Sequence, residues 1–347
     1  MAVESESRLG VDLLPARNPL SILPGNGDEL TADHPDLPDP QTLLSLYEKM
    51  VIGRKFDSQA TILARQGLLS AYPPCLGQEA CQVGAAAAME ARDWLFPTYR
   101  DSVAMLARGV TPREILTSFR GEWHSGHDPH YYRVAPRCTP LATHMPHAVG
   151  LAFSAKHNKE DGAVLVLLGD GAVSEGDAHE AFNLAAVWQV PVVFLIQNNG
   201  FAISVPSKMQ SVAPSLACKG VGYGIPGELV DGNDVAAVFS RVKNALDASR
   251  SGGGPFIIEA LTYRTGPHTT SDDPDKYRDP REHARWILRD PVERMKHFLE
   301  ARGIVSDQVR ARMLEIEHRV VNDVREAAVL SEQSSGNSLT AHVFAVP

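Results

Sequence analysis

Asp170 stands between Gly169 and Gly171, directly after the apolar run Val164 to Leu168, and Gln197-Asn198-Asn199-Gly200 follows a second apolar run, Val192 to Ile196. A carboxylate and an amide oxygen brought together, with a loop carbonyl at Phe201, suit a small hard cation that demands oxygen ligands and octahedral geometry. Three protein oxygens leave room for phosphate oxygens and water, which is how Mg²⁺ is usually held. An acid so employed is not free to act as a general base. Upstream, Tyr99-Arg100 offers a guanidinium, always charged and able to bond phosphate bidentately, although an arginine on a solvated face is the ordinary case.

The elements around Asp170 must bring it to Asn199. Val164 to Leu168 reads as a buried parallel strand, and the glycines after it let the backbone turn sharply and let a ligand approach. Ser174 with Asp177 offers an N-cap, and Ala178, Ala181, Phe182, Ala185, Ala186 and Trp188 keep the spacing of a buried helical stripe. Pro191 then introduces a second buried strand. This is a β-α-β unit that projects Asp170 and Asn199 from neighbouring strand ends into one crevice, where open α/β sheets bind ligands.

Around that unit, Gln41 to Gln66 predicts a helix stopped by Gly67, and Glu79 to Arg92 a helix of small residues. Pro214 to Ile225 reads as a short helix and turn, and Glu228-Leu-Val as a strand. Asp231-Gly-Asn-Asp234 caps a helix to about Arg250, and Phe256 to Thr262 is a further strand. Arg281 to about Glu332 predicts a helical pair broken at Asp290-Pro291, its face Met295, Phe298, Leu299, Met313, Ile316, Val320 and Val324. The expected fold class is therefore α/β, a mostly parallel doubly wound sheet with helices on both faces, plus C-terminal helices. The expected division is an extended, proline-rich N-terminal arm over 1–40, the α/β domain over 41–280, a C-terminal helical extension over 281–335 and a loose tail over 336–347.

Composition narrows the function classes. A net charge of −9, with basic residues neither in excess nor run together, argues against nucleic acid. No stretch reaches the ~18 uninterrupted apolar residues of a membrane span, and MAVESESRLGVDLLP lacks a basic start and an apolar leader region, so a cytoplasmic protein is expected. Cys75, Cys81, Cys138 and Cys218 show no CxxC spacing, so three of the four are expected to be buried reduced thiols rather than zinc or disulfide partners. His124, His127 and His130 could resemble a zinc set, but Gly126, Pro129 and the tyrosines build no single helix face. A polar loop over the active-site mouth is expected there. The breaker-rich stretch from Tyr263 to Pro274 reads as a mobile active-site loop.

GDGAVSEGD followed at this spacing by QNNGFAIS resembles the thiamine diphosphate motif, and residues 40 to 330 are similar to the E1 alpha subunits of the 2-oxo acid dehydrogenase complexes. The resemblance implies thiamine diphosphate and Mg²⁺ as cofactors. It places Tyr99, Arg100, Thr139, Leu141, Gly169, Asp170, Gly171, Ala172, Asn199, Ile203, Arg264 and His268 at the cofactor, and Asp170, Asn199 and Phe201 on the metal. His268 is the implied catalytic residue, and Thr269 beside it matches a hydroxyl that is phosphorylated in mitochondrial relatives. The implied reaction is oxidative decarboxylation of a small 2-oxo acid with reductive acylation of the lipoyl group of an E2 core.

Only one α/β domain is present, so the glutamate that protonates the cofactor's aminopyrimidine is expected on a separate E1 beta subunit, in an α₂β₂ heterotetramer. SEGDAHEAFN and HTTSDDPDKYR look closer to branched-chain enzymes such as those acting on 3-methyl-2-oxobutanoate, with a pyruvate or acetoin enzyme as the alternative. Three departures stand out. Gln197 replaces an arginine of some branched-chain relatives, which shifts charge compensation to Arg100 and Arg264. Phe201 replaces tyrosine, harmless if only its carbonyl binds metal. Cys138 and His144 replace oxygen-bearing side chains, which argues against a potassium site near Thr143. A nicotinamide dehydrogenase would need GxGxxG after its first strand, which is absent. A non-catalytic structural paralogue would be expected to lose Asp170, Asn199 or His268, and all three are present.

Overall fold

The computed structural model describes residues 13–25, 34–122 and 125–329. Parts of the arm, His124 and the tail over 336–347 lie outside the described residues. The strands are β1 Trp94–Phe96, β2 Val164–Gly169, β3 Val192–Asn198, β4 Phe201–Ala202, β5 Val205–Pro206, β6 Gly227–Asp231 and β7 Phe256–Leu261. The helices are α1 Pro40–Arg65, α2 Glu79–Ala87, α3 Ser102–Ala107, α4 Pro112–Leu116, α5 Pro129–Tyr132, α6 His144–His157, α7 Gly176–Trp188, α8 Val235–Ala248, α9 Pro280–Ile287, α10 Pro291–Ala301 and α11 Asp307–Val329.

Five strands form one parallel sheet in the order β1-β2-β3-β7-β6, and β4 with β5 makes a small antiparallel hairpin. The sheet is doubly wound because its strands are apolar on both sides. Leu165, Leu167, Val193 and Leu195 enter the core shared with α1, α2 and α8, whereas Val164, Val166, Phe194 and Ile196 enter the core shared with α6 and α7. Register sets the site: Gly169 lies beside Gln197, so Asp170 and Asn199 emerge together at the carboxyl edge.

Several expectations change. Trp94–Phe96 forms the edge strand β1, too short to betray a period in sequence. The Ser174 cap is wrong: Asp170–Ser174 winds into a 3₁₀ turn, and α7 starts at Gly176 behind Glu175 with no side-chain cap. On α7, Ala178, Ala181, Phe182 and Ala185 are buried while Trp188 lies 38% exposed. Helix α2 ends at Ala87, and beyond it Asp93 accepts the amides of Glu90 and Ala163. Of the cysteines only Cys75 and Cys81 are buried.

Part of the extended arm is packed on the body. Leu20 pairs in parallel with Val230 on the β6 edge, and Asp234, which caps α8, also accepts the amides of Ile22 and Leu23 at 2.7 and 2.6 Å. Among its described residues the C-terminal extension holds three helices rather than a pair, broken as expected at Asp290-Pro291, with all seven expected face residues buried.

Candidate active site

A cavity of about 430 Å³ opens at the carboxyl edge of β2 and β3, a size suited to a small-molecule site. It is lined by residues that the sequence places far apart. The turn after β2 contributes Gly169, Asp170, Gly171 and Ala172; the segment after β3 contributes Asn199, Phe201 and Ile203. Tyr99 and Arg100 come from the approach to α3, Thr139 and Leu141 from the approach to α6, and Arg264 and His268 from the loop after β7. All thirteen residues that the family resemblance singled out therefore face one space.

The acidic end is built on the strand tips. Asp170 is 2% exposed and its Oδ2 accepts Ser207 Oγ at 2.6 Å and Gln210 Nε2 at 3.2 Å. Burial pushes its carboxyl above the usual carboxylate range, and the Ser207 and Gln210 bonds work against that rise. Asn199 gives its Nδ2 to Gln78 Oε1 at 3.2 Å, so its Oδ1 faces the other way and accepts the Phe201 amide at 3.3 Å. The bare Cα of Gly171 serves the hairpin rather than a ligand: an added Cβ would meet Ala202 Cβ at 2.7 Å. Ile203 follows with φ 56, an uncommon conformation for a β-branched residue, and its carbonyl accepts Arg264 Nη2 at 2.7 Å.

The cationic end is built from loops. Arg100 Nη1 donates to the carbonyls of Pro74 at 2.8 Å and His268 at 3.0 Å, and its Nη2 lies 3.0 Å from His268 Nδ1. Arg264 Nη1 lies 3.2 Å from the same Nδ1, and its Nη2 also reaches the Tyr277 hydroxyl at 3.0 Å. A guanidinium only donates, so His268 Nδ1 is the acceptor and the imidazole proton sits on Nε2. Burial, with the charges of Arg100 and Arg264, pushes His268 down to about 4, which keeps the ring neutral near pH 7. Asp272 Oδ2 fixes the loop by accepting the His268 amide at 2.7 Å and the Tyr277 hydroxyl at 2.5 Å.

Those guanidinium contacts all go to neutral acceptors, although Arg100 and Arg264 are only 6% and 1% exposed. A buried positive pair with no anion bonded directly to it is costly. Arg264 Nε and Gln78 Nε2 are buried donors with no partner. The donors fit an anionic group such as a diphosphate, and the oxygens of Asp170, Asn199 and Phe201 fit a hard cation that takes its remaining ligands from that anion. Among the described residues no three His, Cys, Asp or Glu side chains gather as a metal set.

Other sequence expectations fare differently. His127 is buried and donates Nε2–H to Val134 O at 2.9 Å, and His130 packs edge-on against Trp94, so the described part of this loop braces the β1 edge instead of lining the cavity. Gln197, in place of arginine, donates to Asp101 Oδ1 at 2.7 Å and leaves its Oε1 buried without a partner. Thr143 donates to Asp177 at 3.1 Å and His144 Nε2 to Leu167 O at 2.8 Å. Thr269 lines the cavity with its hydroxyl 3.0 Å from Ser271. Gln78, Asp101, Ser207 and Gln210 escape sequence reading altogether. Only the position of Asp101 directly after Tyr99-Arg100 could have flagged one of them.

Comparisons with known proteins identify the family. A family model described as "Dehydrogenase E1 component" matches residues 47–337. The chain is 46% identical over 294 residues to the 3-methyl-2-oxobutanoate dehydrogenase subunit alpha of Mycobacterium tuberculosis, covering 85% of this chain and 80% of that one. It is 39% identical over 290 residues to the pyruvate dehydrogenase E1 component subunit alpha of Acholeplasma laidlawii, covering 83% and 84%. It is 36% identical over 324 residues to the namesake subunit of Staphylococcus aureus, covering 93% and 86%. With a parallel sheet that gathers the motif residues at its carboxyl edge, the chain belongs to the dehydrogenase E1 component family, the thiamine diphosphate-dependent 2-oxo acid dehydrogenases.

Proposed function

We propose that this chain is the alpha subunit of an E1 enzyme that oxidatively decarboxylates a branched-chain 2-oxo acid, 3-methyl-2-oxobutanoate above others, and passes the acyl group to the lipoyl group of an E2 core. The observation that carries the reading is the convergence of the thirteen motif residues on one cavity. The preference for a branched chain is supported by 46% identity to a 3-methyl-2-oxobutanoate enzyme against 39% and 36% to the pyruvate enzymes. Pyruvate is the second reading on the strength of those same relatives.

Thiamine diphosphate, when bound, supplies the nucleophilic carbon and the electron sink for loss of carbon dioxide. Asp170, Asn199 and the Phe201 carbonyl would hold Mg²⁺ against the diphosphate, with Arg100 and Arg264 supplying positive charge. Tyr99, Thr139, Leu141, Gly169, Gly171, Ala172 and Ile203 would shape the walls around the rest of the cofactor. His268, neutral and with its proton on Nε2, would donate a hydrogen bond into the cavity and move a proton there. The separate beta subunit would complete the site in an α₂β₂ heterotetramer and provide the glutamate that protonates the aminopyrimidine. A cytoplasmic setting accords with four free cysteines.

The chain co-purified with its beta partner should reduce a dye with 3-methyl-2-oxobutanoate only when Mg²⁺ and thiamine diphosphate are both supplied, and more slowly with pyruvate. Faster turnover of pyruvate would transfer the proposal to the second reading. No turnover of either acid would reject both.

A further inference from the structure

Asp57 lies in the middle of α1, 1% exposed, between Phe56 and Ala60, which are wholly buried. Its Oδ1 accepts the Tyr72 hydroxyl and the Cys75 amide, both at 2.9 Å. Burial raises its carboxyl to about 6, and the Glu79 charge adds to the rise. Glu79 is itself paired with Arg54 and accepts the Gly77 amide at 3.0 Å. A carboxylate placed in a core beside a like charge is costly for stability, and an apolar side chain would serve that helix better. What Asp57 holds explains its presence.

Residues 72 to 76 carry the His268 loop on their backbone. Thr265 donates its amide to Leu76 O at 3.0 Å, and its hydroxyl reaches the same oxygen at 3.0 Å. Thr270 donates its amide to Tyr72 O at 2.9 Å and accepts the Tyr72 amide on its hydroxyl at 3.2 Å. Between these two anchors sits His268, and Arg100 bridges its carbonyl to Pro74 O. We propose that Asp57 is a positioning residue for His268, acting through the segment Tyr72 to Leu76 as the acceptor that fixes this strip against the loop. The proposal rests on the reading of His268 given above.

The test compares Asp57→Asn, which keeps an acceptor oxygen, with Asp57→Leu, which removes it, in the full chain co-purified with its beta partner. Two quantities are read: tryptic cleavage after Lys276, which needs the loop to open locally, and kcat against KM for the 2-oxo acid. Asp57→Leu should speed cleavage about tenfold and lower kcat about tenfold, with KM little changed, and Asp57→Asn should stay within about twofold of the parent in both. A folded Asp57→Leu protein with parental cleavage and kcat overturns the proposal, as does an Asp57→Asn protein impaired as severely as Asp57→Leu. Should Asp57→Leu not fold, Tyr72→Phe decides: it removes one donor alone and must speed cleavage about threefold, and an unchanged rate overturns the proposal. His268→Ala runs alongside. Full activity in that variant would sink the role given to His268, while cleavage of the Asp57 variants still reports on the loop.

Discussion

The two ends of the cavity are made by different means. Asp170 and Asn199 sit at the tips of adjacent parallel strands locked in register, backed by apolar residues on both sides of the sheet. Arg100, Arg264 and His268 sit on two loops, the approach to α3 and the segment after β7, tied together by hydrogen bonds to carbonyls, a hydroxyl and one imidazole nitrogen. A sheet edge fixes positions with little room to adjust, whereas a polar loop can open at low free-energy cost. The acidic end is suited to holding a metal and a phosphate still. The cationic end is suited to an anionic group such as a diphosphate, held by loops that can adjust around it.

The largest expected effect tests the rigid end. Asp170→Ala removes the carboxylate from the proposed metal set, and Lewis-acid neutralisation worth several kcal/mol should disappear with it, on the order of 10³-fold in turnover. The fold should not suffer, because the deleted group is a buried acid whose carboxyl burial already pushes upward. Thermal unfolding at pH 7 should therefore keep its midpoint or rise. A collapse of the midpoint would mean that Asp170 braces the turn through Ser207 and Gln210, and the contrast between the two ends would fail.

At the cationic end, His268→Asn should cost about 10²-fold in kcat, the lower range for a lost proton-transfer group. Its shorter side chain keeps an acceptor that Arg100 and Arg264 can share, so cleavage after Lys276 should change little. If instead the loop is released as fast as in Asp57→Leu, the ring holds the loop and the strip of residues 72 to 76 does not.

The same contrast explains what could be read from sequence. The β-α-β unit was legible because its strands are unbroken apolar runs and its turns carry Gly169, Gly171 and Pro191. Asp170 and Asn199 followed from strand ends alone. The cationic end was visible only through family resemblance, since nothing local in Tyr99-Arg100 or in Pro267-His268 tells that they meet across 168 positions. Asp57 was out of reach for the same reason: within α1 it reads as a polar interruption of a helical face, and its partners lie beyond the next turn. Trp94–Phe96 and the docking of Leu20 failed on length, because two or three residues carry no period.

The smallest expected effect lies in the pH dependence of stability, where His268 and Asp57 pull in opposite directions. His268 is held down to about 4 in the folded chain against 6.5 for a free imidazole. The stability that goes with this neutral ring is present above pH 6.5 and is lost as the pH falls towards 4, because the unfolded chain takes up the proton first. Asp57 is raised from 3.8 to about 6. Its contribution is present below pH 3.8 and is lost as the pH rises through 6. Between pH 6.5 and 4.5 the two slopes therefore oppose each other. Unfolding midpoints followed across that window should fall more steeply with acid in Asp57→Asn than in the parent, and less steeply in His268→Asn, by about 1–3 °C each. Parallel shifts in both variants would show that neither group is perturbed in the folded chain as its surroundings require. The neutral state of the His268 ring near pH 7 would then lose its physical basis.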